Sequence, residues 1–153
     1  MTLNLIGKNP ANGSAVIAFY NKKVVLHLRS KKKNIFYPNH WGLFGGAKYS
    51  NELYKKAAIR EFNEETSIKL DERKLFFFIR LYFNFPRKKK MICRKFYIYK
   101  IKDIKKFESK FKLREGIKKK FFSNHQYQKL KKVTPYDKLA IDLFFHNIKY
   151  FNN

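Results

Sequence analysis

The stretch Gly46 to Ile68, GAKYSNELYKKAAIREFNEETSI, constrains this chain more than any other. It carries four of the eleven acidic residues, Glu52, Glu61, Glu64 and Glu65, in a chain of formal charge +25. From Ser50 to about Thr66 the pattern predicts a helix, capped by Ser50 or Asn51. Leu53, Ala57, Ala58, Ile59 and Phe62 supply its apolar contacts. On that helix Glu61, Glu64 and Glu65 stand at i, i+3 and i+4 and share one face about one turn long. Like charges that close raise one another's pKa unless a cation sits between them. Oxygen ligands in a compact group suit a hard divalent ion such as Mg²⁺ or Mn²⁺. A bare E-x-x-E-E is equally the solvated face of a helix, so the residues around it must decide.

Length bounds the answer first. At 153 residues and 18.6 kDa the chain is expected to form a single domain, residues 1–153, with a proper core. A hydrophobic share of 44% and an aromatic share of 18% exclude a disordered class. No apolar run nears membrane-spanning length, and the N-terminal MTLNLIGKNP lacks the layout of a signal peptide. The single cysteine, Cys93, excludes an internal disulfide and reads as a small buried hydrophobe. Together these features predict a cytoplasmic protein without a membrane partner, a monomer or a homodimer. Lys and Arg number 36 against 11 acids. Such a field draws in nucleotides, RNA or DNA. The same excess is also compositional, in a chain crowded with Asn, Ile, Phe and Tyr.

Period-two alternation and β-branched runs predict strands over Ser14–Tyr20, Lys23–Leu28, His40–Phe44, Lys74–Phe83, Met91–Ile101 and Lys118–Phe122. Phe96 and Ile98 alternate with Tyr97 and Tyr99, as in a strand packed on both faces. Lys31–Lys33, Arg87–Lys90 and Lys118–Lys120 read as solvated loops or strand ends. Asp103–Lys110 reads as a short helix or a loop. Thr134 to about Tyr150 predicts a helix with Thr134 as cap, Pro135 at its first position and an apolar stripe of Leu139, Leu143, Phe144 and Ile148. The four histidines are scattered without metal-ligand spacing. No Walker loop, G-x-S-x-G or dinucleotide fingerprint is present.

The spacing around the acids is specific. Gly46, five residues, Glu52, seven residues, Arg60-Glu61-Phe62, one residue, Glu64-Glu65, one residue and Ser67-Ile68 resembles the box of the Nudix hydrolases of MutT type. One position departs, because Ser67 stands where that family has glycine. A left-handed backbone is common just past a helix end, and serine there costs about 1 kcal/mol of strain without touching a ligand. The preceding W-G-L-F-G-G run is similar to the segment before the box in many of these proteins.

The resemblance implies an α/β fold, a Nudix-type α/β/α sandwich with a mixed β-sheet. It also implies divalent-metal-dependent cleavage of a nucleoside diphosphate linked to another group, with Mg²⁺ (or Mn²⁺) as cofactor. Glu61, Glu64, Glu65, the Gly45 carbonyl and Glu115 are the implied metal ligands, and Glu115 is the only acid between Glu108 and Asp137. Glu61 or Glu115 would serve as base, Arg60 would orient a glutamate through a bidentate pair, and Glu52 would support the metals. Asp137 is a candidate to read the base, or else an acid favoured at a helix start. Three functions follow: hydrolysis of a small nucleotide such as a (d)NTP or a nucleotide sugar, pyrophosphate removal from an RNA 5′ end, or non-catalytic nucleotide or RNA binding. The intact Arg60, Glu61, Glu64 and Glu65 set argues against the third.

Overall fold

In the computed structural model, residues 12–33, 35–85 and 90–152 are described. The MTLNLIGKNP segment and the Pro86 turn with most of its basic run lie outside them. The runs that alternate in sequence form strands: β1 (Gly13–Tyr20), β2 (Lys23–Leu28), β3 (Trp41–Gly42), β4 (Phe44–Ala47), β5 (Leu75–Phe85), β6 (Lys90–Lys100) and β7 (Lys118–Ser123). Among the described residues, four α-helices lie between and after them: α1 (Tyr54–Thr66), α2 (Ile104–Lys110), α3 (Asn124–Gln128) and α4 (Pro135–Asn147).

The sheet runs β3-β2-β1-β6-β5, with β4 also paired to β1 and β7 to β2. β1 is its pivot. It is antiparallel to β2 and β4 but parallel to β6 over Gly13–Phe19 against Arg94–Lys100, so the sheet is mixed. Alternation along the strands then separates two cores. Ala15, Ile17, Phe96 and Ile98 pack beneath Ala140, Ile141 and Phe144 of α4, whereas Val16, Ala18 and Tyr97 pack beneath Ala58 and Phe62 of α1. A helical layer on each side of a mixed sheet is the α/β/α sandwich expected. Trp41 packs against Phe122, with the ring centres 4.8 Å apart.

Three local expectations change. Helix α1 starts at Tyr54, and neither Ser50 nor Asn51 caps it. Glu52 explains the shift, since its carboxylate accepts the Tyr49 amide and so ties residues 49–52 into a turn before the helix. Leu53 consequently lies outside the helix and is exposed. On α4 the inward stripe is Asp137, Ala140, Ile141, Phe144 and Phe145, while Leu139 faces outward. Past the end of α1, Ser67 adopts φ 63°, the left-handed conformation that its position in the box requires.

Candidate active site

Two glycines let the box close on itself. Gly45 and Gly46 lie on β4, paired to Ala15 and Ser14 of β1, and α1 packs across the same strands. A methyl group on Gly46 would come within 2.5 Å of Glu61 Oε2, so the bare glycine is what allows that carboxylate to lie against the strand. One helical turn on, Glu65 is buried and its Oε2 accepts the Gly45 amide at 3.0 Å. Burial raises the pKa of Glu65 well above the carboxylate range, and the charges of Glu115 and Glu61 raise it further. Glu61 is also raised, by burial first, although Arg60 works against that.

Glu115 reaches this corner through the backbone. The amides of Lys112 and Arg114 donate to the carbonyls of Thr66 and Glu65, both at 2.9 Å, which stitches the 112–116 loop to the end of α1. The Arg114 guanidinium adds a bond to Ser67 Oγ. Sequence spacing alone singles out Glu115 as an isolated acid, and these bonds are the reason it lies beside Glu65.

Arg60 is the organiser. Its Nε and Nη2 form a fork on Glu52 at 2.8 and 2.9 Å, its Nη1 reaches Glu61 at 2.7 Å and Glu64 at 3.2 Å, and its Nη2 also donates to the Ala47 carbonyl. The ring of Tyr49 covers the guanidinium at 4.1 Å. Hydrogen bonding from Arg60 lowers the Glu52 pKa. Glu64 lies outward and more than half exposed, so of the three helical acids only Glu61 and Glu65 approach the glycine turn. Among the described residues, no three carboxylate, imidazole or thiol side chains converge closely enough to hold a metal unaided, and Arg60 claims oxygens of Glu61 and Glu64. The donor chemistry nevertheless fits a hard cation: carboxylates whose pKa is raised by burial and then by one another's charge, next to a turn with no side chain in the way.

Asp137 departs from the expectation that it reads a base. Its carboxylate is buried and taken by three protein donors: the Leu43 amide at 3.0 Å, Thr134 Oγ1 at 2.7 Å and Arg94 Nη2 at 3.1 Å. It braces α4 against the strand that leads into Gly45. Around it lies a group that spacing does not reveal. Arg94 lies 4.9 Å from the centre of the Tyr136 ring, and the rings of Tyr37 and Phe83 meet Tyr136 at 5.6 and 6.2 Å. Arg94 is also close enough to Glu65 to counter the rise in its pKa. His27, buried and stacked on Phe44, is a core residue whose pKa burial lowers.

The model of the NUDIX domain matches residues 10–144. The chain belongs to the NUDIX domain family. Within that family it is 42% identical over 59 residues to the m7GpppN-mRNA hydrolase NUDT17 of Xenopus laevis, a match covering 39% of this chain and 20% of the frog protein. The fold recurs in a NUDIX hydrolase from Nitrosomonas europaea (TM-score 0.71, 15% identity, 91% of this chain and 90% of that one). It recurs also in a bifunctional NMN adenylyltransferase/ADP-ribose pyrophosphatase from Francisella tularensis complexed with AMP and a Mn ion (TM-score 0.64, 16% identity, 95% of this chain and 45% of that one). Nudix hydrolases depend on divalent metal ions. No helix among the described residues is long and apolar enough to cross a membrane.

Proposed function

We propose that this Nudix hydrolase cleaves the phosphoanhydride of a nucleoside diphosphate linked to another group, with Mg²⁺ or Mn²⁺ as its ion. The observation that carries the reading is the pairing of buried Glu65 with the Gly45 amide, with Glu61 and Glu115 in electrostatic reach. Glu61, Glu65, Glu115 and the Gly45 carbonyl would hold the ion, joined by Glu64 once it releases Arg60. A bound divalent ion neutralises phosphate charge and lowers the pKa of water. Glu61 or Glu115 would serve as the base that takes a proton from the attacking water. Arg60, locked on Glu52, holds the acid pair in place through charge-assisted bonds.

A small nucleotide such as a (d)NTP or a nucleotide sugar is the favoured substrate. Arg94 lies within electrostatic range of Glu65 and against the Tyr136 ring, which Tyr37 and Phe83 flank, and such an aromatic wall suits one base. Pyrophosphate removal from an RNA 5′ end is the second reading, supported by the +25 charge and the likeness to an mRNA cap hydrolase. A hydrolysis screen of NTPs, oxidised dNTPs, nucleotide sugars, dinucleoside polyphosphates and triphosphorylated RNA, with Mg²⁺ or Mn²⁺, tests both. Turnover that EDTA and Glu65→Gln abolish supports the assignment. Failure of the folded wild type on every substrate class overturns it.

A further inference from the structure

Helix α1 covers β1 and β4 and barely reaches β6. Among the described residues no helix covers the face of β5 and β6 beyond it, and β5 is the edge of the sheet. Register fixes what that face displays. Arg80 lies opposite Lys95 and Tyr82 opposite Cys93. A bulge after Phe77 brings Phe77 onto the same side as Arg80 and Tyr82. The result is a concavity of about 350 Å³ lined by Tyr54, Arg80, Tyr82, Met91, Cys93 and Lys95, within the size range of small-molecule sites.

Cations and rings alternate across it. Lys48 lies 5.4 Å and Lys95 4.3 Å from the centre of the Tyr54 ring, and Arg80 lies 5.5 Å from that of Tyr82. Phe77 and Tyr82 are each 57% exposed, so their faces are open to a partner. Among the described residues none of Lys48, Arg80 and Lys95 is ion-paired to a carboxylate, whereas Lys56, Lys119 and Lys138 are. The row begins at Lys48, within the box itself, two residues past Gly46.

We propose that Lys48, Tyr54, Lys95, Arg80, Tyr82 and Phe77 form a binding track for single-stranded nucleic acid, with phosphates on the cations and a base in the concavity against Tyr82. Cations without a carboxylate partner, Lys48 resting only on the Tyr49 and Ser50 carbonyls, interleaved with open rings match a strand whose phosphates and base faces are both exposed. A duplex hides its base faces and could use only the cations. A second copy of this chain would bring like charge against like charge. The track is independent of which anhydride the box cleaves.

Fluorescence anisotropy with labelled oligouridylate, oligothymidylate and a hairpin duplex, in EDTA to prevent turnover, provides the test. Wild type binds the single strands more tightly than the hairpin. Arg80→Glu/Lys95→Glu weakens that binding about tenfold or more and flattens the salt dependence by about 0.7 for each phosphate no longer neutralised. Tyr82→Ala weakens binding about fivefold or more with the salt slope unchanged. The exposed pair Lys105→Glu/Lys129→Glu, of equal charge change on other elements, costs much less. Circular dichroism confirms that each variant is folded. Binding of either strand through Arg80 and Lys95 supports the track, and the tighter one names the source. Equal losses in both charge-reversed pairs, equal affinity for the hairpin, or no binding by wild type would overturn it.

Discussion

The amide of Gly45 donates a 3.0 Å hydrogen bond to Oε2 of Glu65, tying the glycine turn of β4 to the last turn of α1. Burial opposes the charge on Glu65, and this bond favours it. The carboxylate is therefore held ready but electrostatically unsatisfied, the condition in which a cation gains most.

Glu65→Gln keeps the shape and an acceptor for the Gly45 amide but removes the charge. Turnover should fall by about a hundredfold or more, the scale on which single charge-stabilising groups act. The melting temperature should hold or rise, because an isolated buried charge is costly. Steady-state kinetics beside a thermal melt checks both, and an unchanged rate rejects Glu65 as a metal ligand. Glu64→Gln should lose turnover as well, without a change in stability.

Arg60→Lys should be a poor substitute. Lysine lacks the planar fork that reaches Glu52, Glu61 and the Ala47 carbonyl together. Loss of these charge-assisted bonds should destabilise the fold by about 1–3 kcal/mol in a denaturant titration. The apparent affinity for Mg²⁺ should weaken by about 10–100-fold, as for other residues that orient metal ligands. Wild-type metal dependence in the variant would contradict the organising role.

Asp137→Ala leaves the Leu43 amide and Arg94 without their acceptor in a buried setting. A loss of about 3–5 kcal/mol is expected, the usual cost of removing one partner of a buried ion pair. If equilibrium unfolding instead shows a change within error while substrate preference shifts, Asp137 reads the base after all.

Asp71 should stay ionised in unusually acid solution. Its partly exposed carboxylate accepts bonds from the Arg73 side chain and amide, which hold its pKa at about 2. The folded value lies below the ordinary one near about 3.9. Its contribution to stability is thus complete above that ordinary value and is lost as pH falls through about 2. Carboxyl NMR across the acid range reads this directly, and Arg73→Gln should move the midpoint up.

Ser67→Gly should stabilise the protein by up to about 1 kcal/mol, since glycine adopts φ 63° freely. The exposed bond from Arg114 to Ser67 Oγ disappears in exchange and tempers the gain. A lower melting temperature would mean that the bond outweighs the strain.

The box is legible because its information is local: Arg60, Glu61 and Glu65 fall within two turns of one helix. The strand faces are legible for a similar reason, since Phe96 and Ile98 alternate with Tyr97. What spacing hides is a partner from afar. Asp137 meets Leu43 across 94 residues and Arg94 across 43, and those bonds turn α4 so that Asp137, Ala140, Ile141, Phe144 and Phe145 face inward. An apolar count cannot choose that face, because its first member is an acid. The start of α1 is hidden for the same reason. Glu52 is drawn to an arginine eight residues on, and a nearby serine or asparagine is passed over as cap.

The parallel ladder between β1 and β6 has a consequence for assembly. Asn12 and Cys93, bonded at its mouth, are 81 residues apart, and the glycine turn leans on the same β1. Loop closure on that scale is slow compared with forming a hairpin or a helix. During synthesis, β1 must therefore wait on the ribosome for β6, and the acid pocket becomes competent only after the chain through Glu115 has emerged.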